Sequence, residues 1–476
     1  MKRNFAAAIA ASVALAGMAE GYQVNTFSAK QEGMGHVGVA MKLGAESNIF
    51  NPGALAFSDK TLEVSAAMSA IKSSVTATVD NVDYSSSNKV STPMNVSAAF
   101  RVYDNFYAGV SFFTPYGSSI DWGKSWPGAV LSQSVDLKIF TVQPTLSYRP
   151  LKNLSFGAGL MISWGNVDLN KALVSSTSMD HLINLMNLPA QLQGQPGQYQ
   201  PYGANPPASV NLKGDSELVL GVNLGVLWEV NDKVSLGASF RSKMEMHVTA
   251  GDAAVSYYND QAQSILGQYI DALNYANFDA SMPAPYVLTA GVAWKPIPRL
   301  TLAADFQLTG WKTYKQLDIA FPSLSDEQQA QFNQHLTKNY HNSMTYHLGG
   351  EFAMTDRLDL RAGLMIDQSP CDEDFYNPET PGMTKIEPSV GFSFRPVKGL
   401  SIDVAFMYVH GCGSTGTGRY DDFLATPYNA ARAQYLPLLQ QAGLADRFPE
   451  LPQVGSMTAD YKLHAVIPAI GLSYSF

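Results

Sequence analysis

From Leu154 the chain alternates: Leu154, Phe156, Ala158, Leu160, Ile162 and Trp164 fall on one face, and Ser155, Gly157, Gly159, Met161 and Ser163 on the other. A period of two is the signature of a β-strand with one apolar and one small or polar face. The pattern returns at Leu300 to Thr309 and at Leu358 to Asp367. Fourteen such segments are predicted, near 60–76, 92–102, 105–114, 134–149, 154–168, 210–230, 233–249, 283–295, 299–320, 339–354, 357–368, 384–395, 400–410 and 460–476. An even number suits a bacterial single-chain membrane barrel.

The connections alternate in length. Short ones fall at Asp104, Pro150 to Asn153, Asn231-Asp232, Pro296 to Pro298, Thr355-Asp356 and Pro396 to Gly399; long ones fall near 77–91, 115–133, 169–209, 250–282, 321–338, 369–383 and 411–459. Outer-membrane barrels pair short periplasmic turns with long extracellular loops, which puts both chain ends on the periplasmic side. A soluble β-sandwich gives no reason for strict alternation. The end of the chain agrees: Val466, Ile470, Leu472, Tyr474 and Phe476 share a face, and a terminal Phe resembles the signal read by the barrel assembly machinery. The expected fold class is therefore all-β, a transmembrane antiparallel barrel of about 14 strands.

Composition sharpens this. Only 15% of residues are charged against 46% apolar, so something other than water faces much of the surface. A net charge of -9 argues against nucleic acid, whose phosphates need a basic face. Lys2 and Arg3, the apolar run Phe5 to Leu15 and the small residues Gly17 and Ala19 read as a secretory signal, so residues 1–19 are expected to be removed. The run is shorter than the roughly 20 residues that span a bilayer.

Little chemistry competes with this reading. Gly33, Gly35 and Gly38 spell G-x-G-x-x-G, but the dinucleotide fingerprint needs a βαβ setting, so these glycines are read as tight turns. Cys371 and Cys412 permit a loop-tying disulfide or two thiols, and are too far apart in sequence for a zinc site without paired histidines. Asp372, Glu373 and Asp374 read as a solvated acidic loop rather than a calcium site. His410 lacks a G-x-S-x-G serine. No enzyme activity, cofactor or metal is expected.

The segment Gly21 to Phe57, with its aromatic start, its glycines and Asn51-Pro52-Gly53-Ala54 before the first strand, resembles the N-terminal hatch of the FadL-type family of outer-membrane transporters. Further resemblances to the family, in its order, lie in T-P-Y-G at Thr114 to Gly117, G-W-K-T-Y-K-Q-L at Gly310 to Leu317, R-A-G-L-M-I-D-Q-S-P at Arg361 to Pro370 and M-Y-V-H-G at Met407 to Gly411. The resemblance implies a hatch over 20–58 plugging a barrel over 59–476, and passive uptake of long-chain fatty acids or other hydrophobic small molecules with sideways release at a kinked third strand. It places Asn51, Pro52 and Gly53 against that strand, near Gly109 to Gly117. Thr114, Pro115 and Tyr116 would form the gate, since Pro115 cannot donate a ladder hydrogen bond.

The inward faces, mostly Ser, Gly, Ala, Thr and Met, suit a greasy ligand better than a polar solute. Arg241, Lys243 and Arg361 are candidate anchors for a ligand carboxylate, with Met365 beside them; the alternative is pairing with Glu245, Asp359 or Asp367. The loop segments His181 to Ala190, Ile265 to Phe278 and Tyr435 to Leu444 lose alternation and read as short amphipathic helices that cap the mouth or collect ligand. The expected setting is the outer membrane of a Gram-negative bacterium, with lipopolysaccharide around a monomer. Alternative readings are a surface-adhesion or receptor barrel and a general porin.

Overall fold

The computed structural model describes residues 22–476, so the secretory signal lies outside the described residues. Fourteen antiparallel strands form a ring. In chain order the first seven are β1 (Leu62–Ser69, continued by Lys72–Val79), β2 (Val82–Ser85 and Met94–Tyr103), β3 (Phe106–Asp121), β4 (Ser134–Leu151), β5 (Leu154–Ala172), β6 (Ala208–Asp215 and Val219–Asn231) and β7 (Val234–Arg241 and Met244–Tyr257). The second seven are β8 (Asn277–Ala284 and Val287–Ile297), β9 (Leu300–Thr309 and Gln316–Ala320), β10 (Gln334–Thr337 and Ser343–Ala353), β11 (Leu358–Asp367), β12 (Lys385–Phe394), β13 (Leu400–Gly411 and Ser414–Asp421) and β14 (Val454–Ser475). The ring closes where β14 pairs with β1, from Glu63↔Ser475 to Thr78↔Asp460.

The alternation has a direct structural meaning. Apolar side chains such as Phe156, Leu220, Phe306 and Ile470 stand exposed on the outer face, while Ser155, Ser163, Asn223 and Thr345 are buried inside. A closed ladder satisfies every backbone group without an edge, which is what crossing hydrocarbon demands. Among the described residues no helix is long and apolar enough to cross.

One loop departs from expectation. The region 77–91 is not a long loop; β1 runs to Val79, turns at Asp80-Asn81 and returns as Val82. Both turn residues have positive φ, 49° and 64°, a conformation that Asn and Asp tolerate and that matches strand twist in two-residue hairpins. Several other strands also run further toward the loops than their hydrophobic pattern indicates, because there the outer face turns polar while pairing continues.

The three expected loop helices form as α-helices, Ser176–Leu192, Asp260–Ile270 and Ala425–Gln441. The first and third bury Leu185, Leu188, Tyr428 and Leu439 in a small core of their own, and the second sends Leu266 and Ile270 into the main core. Their apolar faces thus pack over the mouth. Cys371 and Cys412 are not joined in a disulfide; Cys371 is buried and Cys412 exposed.

Candidate functional site

The segment before β1 fills the lumen toward the short turns. It is tied to the wall by backbone contact at inward glycines: there is no room for a Cβ on Gly157 against Pro52, on Gly225 against Asn51, on Gly237 against Val39, or on Gly363 against Gly35. Gly35 itself has φ 63° and presses on the backbone of Leu348 and Leu364, so the G-x-G-x-x-G glycines serve turns and close approach. Asn51 is fully buried; its Nδ2 donates to the carbonyls of Val39 (2.6 Å) and Val226 (2.9 Å) and its Oδ1 accepts from Gly53 N–H (3.0 Å). Asn51, Pro52 and Gly53 therefore sit against β5 and β6, and not against β3 as the resemblance suggested. The glycines of β5 and β6 admit their backbone, whereas β3 offers Gly109, which is taken by Asn48.

A different part of the segment meets β3. Its ladder with β2 ends at Asn95↔Phe113, and its register with β4 shifts between Phe113 and Tyr116, so Thr114 and Pro115 form an irregularity. There Val24 N–H donates to the Pro115 carbonyl (2.9 Å) and Gly117 N–H to the Tyr22 carbonyl (2.8 Å), with Gln23 opposite Tyr116. Thr114 Oγ1 accepts from Met94 N–H (3.2 Å). Residues 22–24 thus act as a short strand where β2 has left β3.

At about the same height five neighbouring strands break: β6 at 216–218, β7 at 242–243, β8 at 285–286, β9 at 310–315 and β10 at 338–342. Residues released from the ladder turn inward and build an aromatic floor. Tyr22 packs edge-on against Trp311 (5.0 Å between ring centres), Tyr314 (6.0 Å) and Tyr116 (6.0 Å), and Tyr314 meets Tyr340 (5.1 Å). The Tyr22 hydroxyl donates to the Pro283 carbonyl and that of Tyr116 to Pro285 (3.1 Å).

The floor divides the lumen. On the loop side lies a cavity of about 100 Å³ walled by Leu137, Ile139, Leu169, Met246, Phe278 and Met282, with Tyr22 and Tyr314 beneath. Its few charges are already paired: Lys338 Nζ lies 3.1 Å from Glu379, both buried. On the turn side lies a smaller chamber of about 40 Å³ that includes Phe27, His36, Arg241, Asp305, Gln307 and His347. Burial, with His347 nearby, pushes the His36 imidazole down to about 3, so the ring is neutral.

The expected cation anchors separate accordingly. Arg361 is enclosed by acids, with Glu351 at 2.7 Å, Asp403 at 3.4 Å and Asp359 at 3.8 Å; it ties β10, β11 and β13 together. Lys243 does not sit on an inward face. The β7 break resets the alternation so that Met244 and Met246 point in, leaving Lys243 exposed and 2.5 Å from Glu245. Met365 is buried on β11, opposite His347 and Glu387. Arg241 lines the turn-side chamber. Sequence reasoning missed the floor and the cavity above it. Yet Trp311 and Tyr314 belong to the G-W-K-T-Y-K-Q-L motif and Tyr22 is the aromatic start of the hatch-like segment.

A fourteen-stranded ring with an apolar outer face, a lumen filled from the N-terminal side and a greasy cavity above the filling defines an outer-membrane transport barrel. Comparison with known proteins agrees. The family model described as outer membrane protein transport protein (OMPP1/FadL/TodX) matches residues 8–434, and the chain belongs to that family. A long-chain fatty acid transport protein of Escherichia coli O6:H1 is 23% identical over 406 residues, covering 82% of this chain and 87% of the relative. Among solved structures, a Pseudomonas aeruginosa FadL homologue superposes with a TM-score of 0.76 at 17% identity, covering 96% of this chain and all of the other. The Pseudomonas putida toluene transporter TodX gives 0.62 at 16%, covering 94% and 98%. The protein is thus an outer-membrane protein of the kind found in Gram-negative bacteria.

Proposed function

We propose that the protein takes up long-chain fatty acids or similar hydrophobic small molecules by passive diffusion, with residues 20–58 acting as a hatch and release occurring sideways at β3. The apolar cavity above the aromatic floor carries this reading: it encloses greasy surface, while the hatch below it is seated on wall glycines. Oily molecules need help only past the lipopolysaccharide leaflet, since beyond it they partition into bilayer. The exit is the place where the β3 ladder passes from β2 to residues 22–24, because there the floor, through Tyr22, meets the wall's interruption. In this reading Thr114, Pro115 and Tyr116 form the gate. Asn51, Pro52 and Gly53 serve as the hatch's fixed seat. The protein performs no catalysis, works as a monomer surrounded by lipid and lipopolysaccharide, is inserted by the barrel assembly machinery, and loses residues 1–19 on export.

Mass spectrometry of lipid extracted from the purified protein, combined with single-channel recording, tests the reading. Co-purifying amphiphiles and a closed channel are expected. Steady ohmic conductance would identify a general porin, and an empty, closed barrel would identify a surface receptor.

A further inference from the structure

The turn-side chamber contains polar groups that the protein itself leaves unanswered. Arg241 is buried, and among the described residues no carboxylate lies within ion-pair distance of its guanidinium; its Nη1 has no partner. The guanidinium instead lies over the face of Phe27, 5.6 Å from its ring centre. In the same chamber both ring nitrogens of neutral His36 are buried without a partner; Oδ1 of Asp305 is buried without one too, but as an acceptor it offers an anion nothing. Asp305 is otherwise engaged, its Oδ2 accepting from Gly38 (2.6 Å) and Val39 (3.0 Å) N–H groups. Arg361 and Lys338, by contrast, are already paired with acids. A buried cation without a counter-charge is costly, and an anion received beside it would offset that cost.

We infer that Arg241 forms an anion station on the far side of the aromatic floor, where the carboxylate of a transported amphiphile is held between the apolar cavity and the β3 exit. This rests on the transport reading above and adds to it a chemical selectivity. The guanidinium fork matches a carboxylate in two parallel hydrogen bonds; Phe27, Ile49 and Phe50 line the chamber beside it for the chain that follows. Arg241 is on β7 just before its break, and Phe27, over which its guanidinium lies, packs edge-on against Phe113 at the β3 irregularity (5.5 Å between ring centres). An anion leaving the station therefore passes beside the gate. A neutral hydrocarbon gains nothing there.

The test compares palmitate with hexadecane and hexadecanol in proteoliposomes containing wild-type protein or Arg241→Gln, with binding to the apolar cavity followed separately by quenching of tryptophan fluorescence. In the wild type the carboxylate should be taken up faster than the alcohol. Arg241→Gln should lower palmitate uptake about tenfold or more, the scale of one lost charge-assisted interaction, while leaving uptake of the two neutral compounds and binding of all three unchanged. Arg241→Lys should restore part of the preference. An unaltered palmitate-to-hexadecanol ratio in Arg241→Gln would overturn the station. So would an equal change for all three compounds, which would make Arg241 a latch for the hatch through Phe27. If the wild-type protein carries none of the three, the transport reading itself fails.

Discussion

The contact between residues 22–24 and β3 can be locked. Gln23 and Tyr116 face each other in an antiparallel bridge whose flanking bonds run from Val24 to Pro115 and from Gly117 to Tyr22, which makes them a non-hydrogen-bonded pair. Such pairs bring Cα atoms to about 4.5 Å, within the range a disulfide spans. Opening the exit breaks these two backbone bonds and the Tyr22 bond to Pro283, about 1 kcal/mol each net. Withdrawing the buried Tyr22 ring costs about a further 2 kcal/mol. The closed state is then favoured by roughly 5 kcal/mol, with roughly one molecule in several thousand open before ligand binds. Ligand must tip that balance, and a covalent link removes it from reach. With Cys371→Ser and Cys412→Ser as background, the double variant Gln23→Cys/Tyr116→Cys should, when oxidised, bind ligand but take up labelled fatty acid at background rate, and recover on reduction. Unchanged uptake by fully cross-linked protein would refute sideways exit at β3.

Three further outcomes are expected. Asn51→Ala removes the hydrogen bonds to the Val39 and Val226 carbonyls and from Gly53 N–H and should loosen the hatch by about 2–4 kcal/mol, read as faster proteolysis of residues 22–58 with the barrel intact; equal protease resistance would show that the glycine contacts alone seat it. Burial, opposed by a bond from Ser69 (2.7 Å) and reinforced by Glu387, raises the Glu32 carboxyl to about 8. Because the docked pKa lies above the free value, docking is strongest at low pH and weakens as pH rises from about 4.5 to about 8; hydrogen exchange of the hatch should follow that window in the wild type and not in Glu32→Gln. Finally, a thiol label on intact cells should reach a cysteine placed at Gln195 but not one at Asp232 or Asp356, and labelling of the latter two would reverse the orientation.

The barrel was legible because period two repeats in every strand and because turn and loop lengths alternate; both are local properties. Strand breaks were less so. The span 299–320 reads as a single strand, yet Gly310 to Lys315 leave the ladder, since a few residues of lost pairing barely disturb an alternating pattern. Lys243 shows the consequence for a site: one break shifts parity, and every later inward assignment on that strand changes face. Arg241 precedes its break and stayed on the expected side. The seat of Asn51 was out of reach for another reason. Which wall accepts a backbone depends on glycines in β5 and β6, more than 100 residues away, and no local spacing records that meeting.

The glycine seats also constrain how the molecule can be made. The hatch touches the wall from Gly157 on β5 to Gly471 on β14, where Ala29 lies against the strand, and the chain enters β1 beside the end of β14, with Thr61 N–H donating to the Phe476 carbonyl (3.2 Å). A finished cylinder offers no route by which a segment so tightly fitted could later be threaded to its place. The first part of the chain to be exported must therefore wait, and the growing sheet must curl around it like staves round a mandrel, with the last strand shutting seam and hatch together. Folding governed by contacts so distant in sequence is slow, and any truncation that removes β14 deprives the hatch of its final wall.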